Sequence, residues 1–356
     1  MMTRRELLTM GCGLAATAML PGRFRAQISP PASPSPSPDP MRFVNPEFRP
    51  ALVKLHWSDG PEFTLDAVTL KQIRASGEGP DKPIPPTPAV TERLIPGAPG
   101  APQVRVYMAG NAPGAGKPAI LHIHGGGYVL GSARDSRTDI QELVTAHNCV
   151  AVTVDYRVAP ETPYPGSLED NYAALRWMHT NANELGIDVS RFAIKGESAG
   201  GGHAAALALA ARDRGEFPIC LQVLIYPMLD DRTGSSRNLP PNFGRFCWTA
   251  SANRFGWTSL LGVPAGSDRV PPNSVPARAS NLAGLPAAFI GVGSIDLFAP
   301  EDLEYAQRLM AAGVPTELNL VPGGYHGFDL FAPEASLSRQ FKQAWNASIE
   351  RAFQKA

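Results

Sequence analysis

The strongest chemical signal is Gly196-Glu197-Ser198-Ala199-Gly200, a Gly-x-Ser-x-Gly pentapeptide. Alone it says little, because glycine and serine are common. Its setting says more. It follows the β-rich run 191–195 and opens the small-residue helical stretch 199–211. A strand-to-helix turn flanked by glycines lets a strained serine project its hydroxyl, and the helix N-terminus beneath it favours developing negative charge. A second glycine cluster, His124-Gly125-Gly126-Gly127, ends the run 119–123. Consecutive glycines let backbone N–H groups approach a ligand oxygen closely. Such a cluster could cradle a phosphate. Beside Gly-x-Ser-x-Gly, an oxyanion hole made by the N–H groups of Gly126, Gly127 and Ala199 is the better reading, with His124 and Gly125 supporting the turn.

A serine nucleophile needs a base, and the base needs an orienting acid. Of the seven histidines, His326 lies in Gly323-Gly324-Tyr325-His326-Gly327-Phe328, a loop after the last β-rich run. That is where the C-terminal ends of strands gather. Asp296 follows the run 289–292 and is the acid expected to orient it. Glu301 and Asp302 are alternatives, but both follow Pro300 and suit the first turn of a helix. The chain order Ser198, Asp296, His326 is the one expected for such a fold. The chemistry expected is acyl transfer.

These residues need a scaffold. Strand-like runs occur at 104–108, 119–123, 150–155, 192–195, 221–226, 288–292 and 317–320. Helical stretches occur at 134–147, 168–185, 199–212, 300–312 and 334–353. Several strand runs are continuously apolar, as in strands covered on both faces. The alternation predicts an α/β fold, a mostly parallel central sheet flanked by helices. Residues 41–95 and 231–282 fall outside the rhythm and are read as a helical cap. Residues 96–230 and 283–356 then form the catalytic domain.

The composition narrows the function. The chain has 356 residues, with 32 Lys plus Arg against 32 Asp plus Glu. No basic excess exists to hold a phosphate backbone, so nucleic acid is not an expected partner. At 44% apolar residues, wholesale disorder is excluded. No apolar run is long enough to span a membrane. Cys149 and Cys220 sit in apolar runs as free thiols, and no Cys/His spacing suggests a metal. Residues 1–26 read as an export signal: Arg4-Arg5 precedes a weakly apolar stretch, 7–20, as in twin-arginine signals. Cys12 fits a lipoprotein box poorly. Residues 27–40 are a Pro/Ser linker. Residues 1–40 hold four Arg and two acids, leaving 28 basic against 30 acidic residues, which suggests a neutral substrate.

The sequence also resembles a known family. Over roughly residues 41–350 it is similar to the hormone-sensitive-lipase-like branch of the α/β-hydrolases, the bacterial family IV esterases. The resemblance rests on the two glycine motifs, on Asp155-Tyr156-Arg157-Val158-Ala159-Pro160-Glu161, on Pro163-Tyr164-Pro165 with Glu169-Asp170, and on His326-Gly327-Phe328. It implies a cofactor-free carboxylic ester hydrolase whose cap comes from the N-terminal segment and an insertion before the acid-bearing strand. There are departures. Glu197 stands where Asp is commoner before the serine. Asp296-Leu297-Phe298-Ala299-Pro300 replaces the usual Asp-Pro-Leu-Arg-Asp, which puts Phe298, with Tyr128 and Trp248, among the residues expected to shape a substrate pocket. Asp155, Arg157 and Glu161 are expected to be structural. The function expected is a serine carboxylesterase acting on short, soluble esters, as monomer or homodimer. Amides, formamides or lactones suit the same three residues, and a binding module on a retired hydrolase scaffold is the reading from another class.

Overall fold

The computed structural model describes residues 39–57, 63–77 and 83–355. The expected export signal and nearly all of the expected linker therefore lie outside the described residues. Eight strands form one sheet: β1 Val90–Ile95, β2 Val104–Ala109, β3 Lys117–Ile123, β4 Val150–Asp155, β5 Ile187–Glu197, β6 Leu221–Ile225, β7 Ala287–Gly293 and β8 Thr316–Val321. Their spatial order is β1-β2-β4-β3-β5-β6-β7-β8. The β1–β2 and β2–β4 pairs are antiparallel and the others parallel. The expected mostly parallel sheet is present.

The helices are α1 Arg49–Lys54, α2 Ala67–Gly77, α3 Arg137–His147, α4 Gly166–Thr180, α5 Ala182–Leu185, α6 Ala199–Arg214, α7 Ala250–Leu261, α8 Ala299–Ala311, α9 Phe328–Phe331 and α10 Ser336–Lys355. Side chains alternate across a strand, so each strand feeds two cores. Leu121, Val152, Ile194, Leu224 and Ile290 join α4, α6 and α8 on one face. Ile120, Ala151, Ala193, Val223 and Phe289 join α3 and α10 on the other. Burial on both faces explains the continuously apolar runs.

Two elements differ from expectation. Residues 90–95, placed with the segment outside the sheet, form the edge strand β1. Its sequence, Val-Thr-Glu-Arg-Leu-Ile, buries only Ile95, so it has no apolar alternation to betray it. The single helix expected over 168–185 is two. Asn181, with non-helical backbone, separates α4 from α5, and its side-chain amide donates to the Trp177 carbonyl (2.8 Å).

A third apolar cluster lies over the sheet end that carries the glycine motifs. Leu65 and Leu70 from the N-terminal segment and Trp257, Leu260 and Leu261 from α7 pack with Val129, Ala199 and Phe298. Arg74 of α2 ties this layer down, donating to the carbonyls of Val129 (2.9 Å) and Ala159 (2.7 Å). Among the described residues, no helix is long and apolar enough to cross a membrane.

Candidate active site

The β5–α6 turn holds Ser198 at φ 57°, ψ −122°, a region non-glycine residues rarely occupy. Such backbone stores about 1–3 kcal/mol and survives only where its surroundings fix it. Here they do. Its N–H donates to Ile225 O (2.9 Å), and its carbonyl accepts from Gly202 N (3.0 Å) and Met228 N (3.0 Å). Gly196 and Gly200 are required by closeness: a β-carbon on Gly196 would collide with the Gly200 carbonyl, and one on Gly200 with that of Ile123.

His326 comes from the loop between β8 and α9, and Asp296 from the turn after β7. Ser198 Oγ lies 2.9 Å from His326 Nε2, and His326 Nδ1 lies 2.8 Å from Asp296 Oδ2. With a neutral imidazole, the hydroxyl donates to Nε2 and Nδ1–H donates to the carboxylate. The second carboxylate oxygen accepts from Phe298 N (3.0 Å), which fixes the acid. Asp296 is fully buried, while Ser198 keeps 9% of its surface exposed. The Phe298 and Tyr226 rings meet the His326 ring edge-on, with centroids at 5.1 and 4.9 Å.

The 124–127 loop runs alongside. A β-carbon on Gly125 would lie 3.4 Å from Ser198 Cβ. Gly126 and Gly127 adopt φ 124° and 58°, and the Gly126 carbonyl accepts from Val129 N (3.1 Å) and Leu130 N (2.8 Å). Ala199 opens α6, where first-turn N–H groups have no intrahelical acceptor. His124 braces the loop from behind. Its ring stacks on Tyr156 (centroids 4.2 Å) and its Nδ1–H donates to Gly125 O (2.8 Å). Tyr156 in turn donates to His124 O (2.8 Å). Burial pushes the His124 pKa down to about 4, so the ring is neutral.

The description of a family with the alpha/beta hydrolase fold matches residues 120–330. The chain belongs to the α/β-hydrolase family. Its motifs place this α/β-hydrolase in the hormone-sensitive-lipase-like branch. It is 35% identical over 255 residues to "Esterase LipI" of Mycobacterium tuberculosis (strain ATCC 25618 / H37Rv), covering 70% of this chain and 78% of the relative. Among solved structures, "Bacterial Heroin Esterase" superposes with a TM-score of 0.77 at 31% identity, covering 88% of this chain and 99% of that one. Esterase LipW from Mycobacterium marinum gives 0.72 at 33% identity, covering 88% and 97%.

Ser198 and His326 open onto a cavity of about 850 Å³. Gly125, Gly126, Gly127 and Trp248 line it; Tyr128 and Phe298 do not. These two of the three expected pocket residues are buried instead. Tyr128, 2% exposed, donates to Met228 O (2.7 Å), and Phe298, fully buried, backs His326 and Asp296. Glu301 and Asp302 lie in the first turn of α8, as expected. Glu301 accepts from Leu229 N (2.7 Å) and Asp230 N (3.1 Å), which fixes the chain after β6. Asp155, Arg157 and Glu161 are structural. Asp155 accepts from Ala133 N (3.0 Å), Arg157 grips Asp170 (2.8 Å) and Glu161 pairs with Arg74 (2.8 Å).

The sequence did not point to Lys195 and Glu197 as members of this site. Both line the cavity and pair with each other. Glu197 also accepts from His122 Nε2–H (2.8 Å), and His122 Nδ1 accepts from Thr153 Oγ1 (3.1 Å). Burial and the nearby Lys195 ammonium hold His122 neutral, and burial pushes the Lys195 amine down to about 8. The one available signal was a lysine closing the otherwise apolar run 192–195, where an unpaired charge is not tolerated. Cys247 also lines the cavity, at φ 65°.

Proposed function

We propose that this α/β-hydrolase is a serine carboxylesterase that cleaves short-chain carboxylic esters through an acyl-enzyme, using Ser198, His326 and Asp296. The observation that carries the reading is the unbroken hydrogen-bonded chain from the Ser198 hydroxyl through His326 to buried Asp296 (2.9 and 2.8 Å), facing the cavity. The esterase names of its relatives support the same reaction class.

In this mechanism Ser198 Oγ attacks the ester carbonyl as His326 Nε2 takes its proton. Asp296 holds Nδ1–H, fixes the tautomer and stabilises the imidazolium. The N–H groups of Gly126, Gly127 and Ala199 receive the oxyanion. His326 then protonates the leaving alcohol, and water repeats the sequence on the acyl-serine.

Ser198→Ala should lower p-nitrophenyl acetate hydrolysis by roughly 10³-fold or more while circular dichroism stays unchanged. Retained activity in this variant would remove Ser198 from the mechanism. In an acyl series, kcat/KM should peak between acetate and butyrate, and a maximum at octanoate would refute the short-chain preference.

A further inference from the structure

Tyr226 lies against both the support of the nucleophile and the base. It follows β6 at φ 35°, a positive value that a bulky residue rarely adopts. The strain is fixed by its neighbours. Its own N–H donates to Gly291 O (2.6 Å), and the preceding carbonyl, that of Ile225, accepts from Ser198 N (2.9 Å). Two residues on, Met228 N donates to Ser198 O (3.0 Å). Tyr226 is only 1% exposed, and it borders the cavity together with Ser198 and His326.

The hydroxyl of Tyr226 is committed. It donates to Asp329 Oδ1 (3.1 Å). Asp329 lies in α9, three residues after His326. The bond therefore ties the histidine's segment to the end of β6, where Ser198 is held. Between these two anchors the Tyr226 ring meets the imidazole edge-on, with centroids 4.9 Å apart and planes at 68°. Phe298 makes a second such contact (5.1 Å, 88°), and Asp296 holds Nδ1 (2.8 Å). Both of those come from the β7–α8 connection, so Tyr226 supplies the support from a different strand. Burial raises the Asp329 pKa, and the Tyr226 hydrogen bond and the positive charges of Lys195 and protonated His326 oppose that rise.

We propose that Tyr226, tied to Asp329, is a positioning residue that holds the His326 ring in line between Ser198 and Asp296. The proposal rests on the serine-esterase reading above and adds to it. In that mechanism the imidazole carries a proton from Ser198 to the leaving alcohol. It must do so without swinging away, although it borders a cavity of about 850 Å³. An aromatic ring packed on the imidazole restricts that rotation. The bond to Asp329 keeps the aromatic ring from sliding into the cavity it borders. A displacement of about 1 Å in a catalytic group can cost about 10²-fold in rate, so such a support bears on kcat. Tyr226 acts through His326 rather than on the substrate.

The test is a double-variant cycle on p-nitrophenyl butyrate. Active sites are counted by fluorophosphonate labelling carried to completion, so unfolded molecules do not enter the rates. Tyr226→Phe keeps the ring and removes the tie, and Asp329→Ala removes the tie from its other end. Each should lower kcat per labelled site by roughly tenfold, with KM little changed. The double variant should lose no more than either single one, because all three lack the same bond. Asp329→Asn keeps an acceptor oxygen and should recover most of the loss seen with alanine. Unchanged kcat in Tyr226→Phe, losses that multiply in the double variant, or an asparagine variant no better than alanine would each overturn the tie and leave the esterase reading in place. A wild-type enzyme that hydrolyses no ester, or full activity in Ser198→Ala, overturns both.

Discussion

Gly126 and Gly127 are the places where one methyl group should be felt most. Their backbones lie at φ 124° and 58°, and a β-carbon would collide with the Leu130 carbonyl at the first and with the Trp248 ring at the second. Gly126→Ala should therefore displace an oxyanion donor, lowering kcat by roughly 10²–10³ with KM little changed. Steady-state kinetics on p-nitrophenyl butyrate would check this; a change confined to KM would argue against the assignment. At this scale the sequence was readable where chemistry imposes both residue type and spacing. The gathering of Ser198, His326 and Asp296 within hydrogen-bond reach was legible for that reason. Tyr128 and Phe298 were misplaced because an aromatic residue beside a motif has the same pattern whether it faces a cavity or the core. Tyr128 turned inward to reach the Met228 carbonyl, and Phe298 turned behind the histidine.

Helix α8 gives the element scale its clearest pH effect. Its first turn buries Glu301 and Asp302, and neither oxygen of Asp302 has a hydrogen-bond partner. Burial, then the neighbouring Glu301 and Asp296 carboxylates, hold the Asp302 pKa well above the usual carboxylate range. The sign follows from proton counting. Above the unfolded pKa near 4, the folded state holds a proton the unfolded chain releases, so Asp302 increasingly destabilises the fold as pH rises. Asp302→Leu should accordingly raise Tm more at pH 8 than at pH 5, by roughly 2–4 °C for each kcal/mol relieved. Equal shifts at both pH values, read by thermal melts, would refute a buried neutral acid. The elements were legible where apolar runs marked two-sided burial, as in β3, β4 and β6. β1 was not, because an edge strand with one buried residue carries almost no hydrophobic signal. The α4–α5 break was hidden because an asparagine in a helical stretch marks a break no more plainly than it marks continuation.

At the scale of the molecule, the sheet brings together residues far apart in the chain. The glycine loop follows β3, the serine follows β5, the acid follows β7 and the histidine follows β8. The alternation of strands and helices made this gathering point legible. The tie between Tyr226 and Asp329 was not, since its partners come from different elements far apart in the chain. We propose that residues 1–26 set destination, with Arg4-Arg5 directing export by the twin-arginine route. Arg4→Lys/Arg5→Lys should then shift esterase activity from the exported to the cytoplasmic fraction of expressing cells, and unchanged partitioning would exclude that route.

The anchoring of Ser198 has a consequence for how the protein is made. Its strained backbone is held by Ile225 and Met228, and its partner base lies 128 residues downstream. On the proposed mechanism, a ribosome-bound or clipped chain that stops before His326 carries Ser198 without its base. Phe341, Trp345 and Ile349 of α10, further on, complete one of the two cores. On that mechanism, hydrolysis begins only once synthesis has passed all of these segments. Turnover of a chromogenic ester would report the fraction of molecules fully translated and folded, and unfinished chains would pose no hydrolytic hazard to the cell that makes them.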